Sequence, residues 1–306
     1  MSIFDRFMPD LANYLEKIRT ECNPQATEYM PGVEVFHFRD NVYSFYQKSP
    51  GRGGAPWMHL IIGPEKAMLV DTGFGIGDLK GLVESITDKP VYVVNTHFHG
   101  DHTLGNFQFD RVYIHKYDVP YLEETINPNA HDRFLESPTD PYFKKEDVVA
   151  FKPYEIIPVE DGYQFDLGDG YIMEVAHLPG HAPGGIGIID DHNRILFSGD
   201  ALVSTPTLVS GPLRGTANTE WMTVTAFRDK LNDLIEKMDR FDVLYPGHAI
   251  CDYPAQTVVD MRDACNEIIA DPNCQTEVGE GMIGSGTMVK LKVVGYASIA
   301  YTDERI

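Results

Sequence analysis

Apolar and polar positions alternate along this chain in short, well-bounded blocks. Leu11, Tyr14, Leu15 and Ile18 recur at helical spacing and predict an amphipathic helix over about 8–21. Runs dense in β-branched and aromatic residues follow: "VEVFHF" at 33–38, "VYSFYQ" at 42–47, "MHLIIG" at 58–63 and "AMLVDTG" at 67–73. The last two are joined through "PEK", a hairpin signal. A helical pattern in "IGDLKGLVESI" leads to the strand "VYVVNT" at 91–96 and then to "VYIHK". In the second half, "YIMEVAHLPG", "GIGIID", "RILFSGD" and "DVLYPGH" are apolar runs bounded by Gly-bearing turns, with helical patterns at about 219–238 and 254–269. A Gly-rich bend, "VGEGMIGSGT", precedes "MVKLKVV" and "YASIAYT", which predict a C-terminal strand pair at about 279–304.

Strands and helices intermix throughout without a Pro/Gly/Ser linker. That pattern predicts a layered α/β (α+β) fold and a single domain over 1–306. The segment from about 118 to 153 departs from it, being polar, proline-bearing and aromatic, and is expected to form an insertion or cap. Tyr117, Tyr121, Phe134, Tyr142 and Phe143 give that stretch enough ring surface to roof a small site. No short-period repeat is present.

Four of the apolar runs end in loops that carry histidine or aspartate. "VVNT" precedes His97, His99, Asp101 and His102; "HLPG" precedes His181; "LFSG" precedes Asp200; "LYPG" precedes His248. Loops at strand ends, held by a rigid sheet, are where layered α/β proteins place their chemistry. Isolated histidines beside apolar runs are usually structural. A complete H-x-H-x-D-H followed by three glycine-preceded donors is a stronger signal, and it points to metal. In an extended turn His97 and His99 share one side, while Asp101 and His102 address a neighbouring ion. Imidazole and carboxylate suit zinc, iron or manganese, and these seven donors exceed the capacity of one tetrahedral ion. Two ions roughly 3.5–4 Å apart, bridged by a carboxylate, accommodate them.

Charge narrows the partners. Lys+Arg is 25 against Asp+Glu 46, a net charge of −21. That balance repels polyanions and disfavours nucleic acid or an anionic membrane surface. The opening "MSIFDRFMPDLANYLEKIRTE" is charged throughout and lacks the apolar core of a signal peptide, and no window approaches the ~18 apolar residues of a membrane span. Cys22, Cys251, Cys265 and Cys274 form no CxxC pair. Reduced thiols and a cytoplasmic protein are expected, with a small-molecule substrate as partner; the sequence leaves a homodimer open. Cys251, though close to His248, is expected to be a buried small side chain.

At these motifs the chain resembles the metallo-β-lactamase-fold hydrolase superfamily, over roughly residues 32–250: "VDTG" with Asp71, "THFHGDH", "LPGHAPGG" with His181, "FSGD" with Asp200 and "YPGH" with His248. The resemblance implies a four-layer αβ/βα sandwich with the site at one sheet edge. It implies that His97, His99 and His181 bind one metal ion, Asp101, His102 and His248 the other, and that Asp200 bridges them. Asp71 would steady the histidine loop. Two divalent ions, zinc foremost and otherwise iron or manganese, would hold a bridging hydroxide available near neutral pH, because bound water falls from a pKa of ~15.7 toward ~7. Asp101 would also carry a proton to the leaving group.

Departures from individual branches sharpen the expectation. Class B β-lactamases generally place cysteine or another non-bridging ligand where this chain has Asp200. Flavodiiron oxidoreductases place glutamate where it has His99 and append a flavodoxin domain. Glyoxalase II-like thioesterases share the ligand set but bind glutathione through basic residues in a helical C-terminal region, whereas residues 279–306 look strand-like here and carry only Lys290, Lys292 and Arg305. The reading is therefore a dinuclear hydrolase of a small ester, lactone or thioester. The alternatives are a phosphodiesterase of the same fold, a flavodiiron-like oxidoreductase and a non-catalytic metal-binding protein. Outside the motif, Trp57 and His59 are expected to pack in the hairpin, and His115, His131, His177 and His192 to be bystanders. Residues 204–215 are expected to form a loop near the site, with Arg214 solvated.

Overall fold

The computed structural model describes residues 2–49, 54–135, 144–210, 217–281 and 286–306, with the side chains of 133 and 134 excepted. These fall into two compact units: residues 16–160 with 164–173, and residues 1–15 with 161–163 and 174–306. The amphipathic helix α1 runs from Met8 to Cys22, as its spacing predicts.

The first unit is built on one eight-stranded sheet whose strands lie side by side in chain order. They are β1 (Gln25–Ala26), β2 (Val33–Arg39), β3 (Val42–Gln47), β4 (Trp57–Ile62), β5 (Ala67–Val70), β6 (Val91–Val94), β7 (Arg111–His115) and β8 (Glu155–Val159). β1 to β5 form an antiparallel meander, and β5 to β8 pair in parallel. A parallel pair needs a crossover, supplied between β5 and β6 by α2 (Leu79–Ile86). Its N-cap is Asp78, whose Oδ1 accepts the Gly81 N–H at 2.7 Å. Leu79, Leu82 and Val83 bury against Met58, Leu60, Leu69 and Val93 of the sheet. Trp57 is fully buried in β4 and meets Phe36 edge-on at 5.4 Å, and His59 Nδ1 lies 2.8 Å from Ser44 Oγ. Both residues pack within the hairpin.

The stretch from 118 to 153 contributes α4 (Val119–Thr125), α5 (Asp132–Leu135) and a 3-10 turn at Lys145–Asp147. Tyr142, Phe143 and the Phe134 side chain, which carried part of the expected roof, lie outside the described residues, as does Arg214. Tyr121 is buried and stacks on Phe98 at 4.7 Å, and Leu122 joins the core of this unit. A short strand, β9 (Gln164–Asp166), completes it.

In the second unit, β10 (Ile172–His177, of which Glu174 onward belongs here), β11 (Ile186–Asp190), β12 (Ile195–Gly199), β14 (Val243–Pro246) and β15 (Tyr253–Pro254) lie in the order β15-β14-β12-β11-β10. Another sheet orders β13 (Thr207–Val209), β18 (Ala297–Tyr301), β17 (Met288–Val294) and β16 (Glu277–Glu280). The predicted terminal pair is therefore present as antiparallel β17–β18, flanked by two strands the pattern does not announce. β13 occupies part of the stretch expected to be a loop, and β16 part of the expected bend. The helices α6 (Val224–Ile235) and α7 (Gln256–Ala270) bury Phe227, Leu231, Met261 and Cys265 with Leu196, Leu244, Ile299 and Tyr301 in one core. α6 is shorter than its pattern because Thr223 caps it, accepting the Ala226 N–H at 3.1 Å, and 3-10 turns at Thr219–Trp221 and Met238–Arg240 take up the flanks. All four cysteines are free thiols, and Cys251 is buried. No helix among the described residues is long and apolar enough to cross a membrane.

Candidate metal centre

β5 and β6 are parallel neighbours with Val70 paired to Val94, so Asp71 and the loop from Asn95 leave the sheet together. Asp71 takes a left-handed backbone (φ 63°), which aspartate tolerates better than most residues, while its N–H donates to Val94 O at 2.9 Å. This bend aims a buried carboxylate at the histidine loop. Its Oδ1 accepts the Thr96 N–H at 2.7 Å, and its Oδ2 accepts the Thr96 hydroxyl and His102 Nδ1–H, both at 2.8 Å.

Those partners assign the imidazole tautomers. With Nδ1 donating to Asp71, His102 presents the Nε2 lone pair. Thr96 Oγ1 gives its proton to Asp71 and lies 3.1 Å from His97 Nδ1, so it accepts there and His97 presents the Nε2 lone pair as well. His99 brings its Nδ1 to 3.0 Å from His97 Nε2. His99 also opens the single turn α3 (Gly100–Thr103), which carries Asp101 and His102; Asp101 Oδ2 stands 3.8 Å from His102 Nε2. The His102 carbonyl is held by the Thr72 N–H at 2.8 Å, the Thr72 hydroxyl at 3.1 Å and Asn95 Nδ2 at 3.2 Å. Gly105 lies where a Cβ would overlap the Thr72 carbonyl, so the helical turn closes on that loop only with glycine.

Sequence reasoning passes over one anchor. Asp118 is fully buried, precedes α4, and makes no side-chain capping bond there; its Oδ2 instead accepts the Phe98 N–H at 2.9 Å, between the two leading histidines. A lone aspartate before a helix reads as a cap, and only the fold shows where its carboxylate points.

The second unit assembles its own cluster. β12 and β14 are parallel neighbours, so Asp200 and His248 emerge from adjacent strand ends, tied by the Gly247 N–H to Gly199 O bond at 2.9 Å. Gly199 (φ 51°) and Ala249 (φ 67°) make the bends on either side. His181 follows Gly180, whose φ of 109° requires glycine, and its Nδ1–H donates to Leu208 O of β13 at 2.9 Å. The Asp200 Oδ2 lies 3.6 Å from His181 Nε2 and 3.5 Å from His248 Nε2. Of the seven predicted residues, this unit brings together these three, and the first unit brings together His97 with His99 and Asp101 with His102.

The donor chemistry fits a cation. Around an ion with bonds of ~2.0–2.1 Å, tetrahedral ligand atoms stand roughly 3.3 Å apart. The spacings of 3.0, 3.5 and 3.6 Å bracket that value. Three of the imidazoles have Nδ1 committed to an acceptor and the lone pair on Nε2, the arrangement that raises ligand basicity and fixes ring orientation. The four remaining histidines named from sequence behave otherwise. His177 Nε2 lies 2.9 Å from Pro183 O, His115 and His131 are buried, and His192 sits in the β11–β12 turn.

Comparison with known proteins follows the same residues. The family model described as the metallo-beta-lactamase superfamily matches residues 51–249. The Homo sapiens protein named acyl-coenzyme A thioesterase MBLAC2 is 28% identical over 232 residues, which are 68% of this chain and 78% of that protein. Hydroxyacylglutathione hydrolase GloC of Haemophilus influenzae is 31% identical over 150 residues, 47% of this chain and 65% of that protein. The solved structure of a metallo-beta-lactamase from Pontibacter korlensis superposes with a TM-score of 0.52 at 18% identity, covering 76% of this chain and 99% of that one, a likeness of fold.

Proposed function

The chain belongs to the metallo-beta-lactamase superfamily and is a hydrolase of that family, and we propose that it cleaves a small thioester or ester with two divalent metal ions, zinc foremost. In this reading His97, His99 and His181 hold one ion, Asp101, His102 and His248 hold the other, Asp200 serves both, and the whole of 1–306 acts as one metallohydrolase domain. The observation that carries it is the Asp200 carboxylate, with one oxygen 3.6 Å from His181 Nε2 and 3.5 Å from His248 Nε2. A single oxygen placed within reach of two imidazole nitrogens is what a shared ligand requires. The thioester preference draws support from the human relative named for acyl-coenzyme A thioesterase activity.

Bound ions would supply an activated water and polarise the acyl oxygen. The residues supply the rest. Water adds across the acyl–sulfur or acyl–oxygen bond, its oxygen bonding to the acyl carbon while the bond to the leaving group breaks. Asp101, half-buried with its side chain 27% exposed, is the group that takes a proton from the attacking water and passes it to the departing thiolate or alkoxide. Asp71 and Thr96 keep His102 and His97 in the tautomer that ligates through Nε2. The stretch 118–153 is proposed to roof the site and keep polymers out.

The test is a panel of thioester, ester, lactone and phosphodiester substrates, run on protein purified without chelator and analysed for metal. Close to two metal ions per chain, with thioester or ester cleavage fastest, are expected. A metal content of one that zinc or manganese does not raise defeats the dinuclear centre. Faster cleavage of bis(p-nitrophenyl) phosphate than of every acyl substrate defeats the substrate class.

A further inference from the structure

A buried polar chain runs from the histidine loop to the cap stretch, entirely within the first unit. Asn106 follows His102 in the 3-10 turn Leu104–Gln108, and its side chain is fully enclosed. It meets Asn95, just past β6, in a reciprocal amide pair. Asn106 Nδ2 donates to Asn95 Oδ1 at 2.8 Å, and Asn95 Nδ2 donates to Asn106 Oδ1 at 3.2 Å. Asn106 Oδ1 also accepts the Thr72 hydroxyl at 2.8 Å, and its second Nδ2 hydrogen goes to the Tyr154 hydroxyl at 3.3 Å. A primary amide can make four hydrogen bonds, and Asn106 makes all four out of water. Two of its partners, Thr72 and Asn95, are the side chains that hold the His102 carbonyl.

Tyr154, just before β8, extends the chain to α4. Burial pushes its phenol up to about 12, partly offset by hydrogen bonds with Asn106 and Thr125, so it keeps its proton at physiological pH. That proton is turned to Thr125, the last residue of α4, whose own hydroxyl donates to Leu122 O at 2.8 Å. At the other end of the same helix, Asp118 takes the Phe98 N–H. α4 is thus tied to the ligand loop at two points, between the leading histidines and behind His102. Leu122 is fully buried in the core of this unit and Tyr121 stacks on Phe98, so the helix has little freedom to shift.

We propose that Asn106 and Tyr154 are positioning residues for the metal centre, and that with Asp118 they make α4 a brace holding His102 in register with His97 and His99. Removing the Tyr154 hydroxyl leaves one Asn106 hydrogen unmatched in a dry site, and an amide that turns to recover a partner leaves Asn95 and Thr72. The His102 carbonyl then loses its side-chain holders, while Asp71 still holds the ring. The ion assigned to His102 is the one that suffers, and the ion assigned to His97 and His99 is spared. That division rests on the dinuclear reading above; the path from Tyr154 to the His102 carbonyl does not.

The experiment therefore has two arms. In the first, the full chain is stripped with chelator and titrated with cobalt(II) against a chromophoric competitor, and His102→Ala marks which binding step belongs to the His102 ion. Asn106→Leu should weaken that step about 10–100-fold and Tyr154→Phe at least about threefold, with the other step changed by less than about twofold. Tyr154→Phe should add nothing in the Asn106→Leu background, because groups acting along one path are not additive. The second arm is amide hydrogen exchange on the metal-free protein. The Thr72 N–H, which donates to the His102 carbonyl, should exchange about tenfold faster in either variant, and the Phe98 N–H at its wild-type rate. Two ions in wild type, with neither step weakened in Asn106→Leu or Tyr154→Phe, overturns the brace and spares the dinuclear centre. Equal weakening of both steps with faster Phe98 exchange is general loosening and also overturns the brace. A further loss from Tyr154→Phe in the Asn106→Leu background overturns the route through Asn106. A single ion in wild type, with Thr72 exchange accelerated in both variants, keeps the route and overturns the dinuclear centre.

Discussion

Asp71 holds His102 through a 2.8 Å bond to Nδ1, with both side chains out of water. The same carboxylate carries the Thr96 N–H and hydroxyl, so one buried anion sets the start of the histidine loop, the tautomer of His102 and, through Thr96, that of His97.

Asp71→Asn keeps the shape and tolerates the φ of 63° but cannot accept all three bonds. Metal affinity should fall by about 10–100-fold with the fold intact. Competition against a chromophoric chelator, with circular dichroism as the folding control, checks it; wild-type affinity would remove Asp71 from this role.

Asp200→Asn removes the negative charge that faces both His181 and His248. Metal content and turnover should drop together, the latter by at least a hundredfold, an order set by loss of about 3 kcal/mol of charge stabilisation. His192→Ala, in the β11–β12 turn, should change either by less than twofold. Equal losses in the two variants would mean that the centre has been assigned to the wrong residues.

Asp118→Ala leaves the Phe98 N–H without its carboxylate partner inside the protein. A stability loss of about 1–3 kcal/mol in urea melts is expected, with metal affinity reduced as His97 and His99 loosen. Asp118→Asn, which retains an acceptor oxygen, should recover most of both. A stability loss with unchanged metal affinity would show that Asp118 supports the fold without positioning the ligands.

The His131 imidazole is 5% exposed, and burial holds it below the ordinary histidine value, partly offset by the Phe74 backbone and Asp132. A depressed folded value means the folded state favours the neutral ring. The stabilisation is thus complete above ~6.5 and is lost as pH falls through the folded value. With chelator present to cancel ligand protonation, Tm should fall less between pH 7 and pH 5 in His131→Gln than in wild type. Parallel slopes would place the acid sensitivity elsewhere.

Periodicity makes most of the framework legible. α1, β2 to β7, α7 and the β17–β18 pair all stand where helical spacing or apolar, β-branched runs predict them; β4, β5 and β18 are buried along almost their whole length, which is why their sequences read as continuous apolar runs. β8, β9, β13 and β16 escape notice for a physical reason. "EIIPV" carries Pro158 inside a strand, "QFD" and "TLV" are too short to show a period, and "EVGE" is mostly exposed. The candidate donor residues stand out in the sequence for the opposite reason, since histidines gathered in one loop have few structural uses. Their supports are not. Leu208 offers His181 only a backbone carbonyl, which any residue possesses, and Asp118 looks like an ordinary helix cap.

The bond from His181 to Leu208 has a temporal side. Leu208 lies in β13, whose pairing partner is β18, with Leu208 set against Ala300. His181 leaves the ribosome long before residues 297–301 do, so the carbonyl that fixes its ring is without its sheet until β18 has been made. A chain interrupted short of β18 has all the donors of this cluster and lacks the frame that orients one of them.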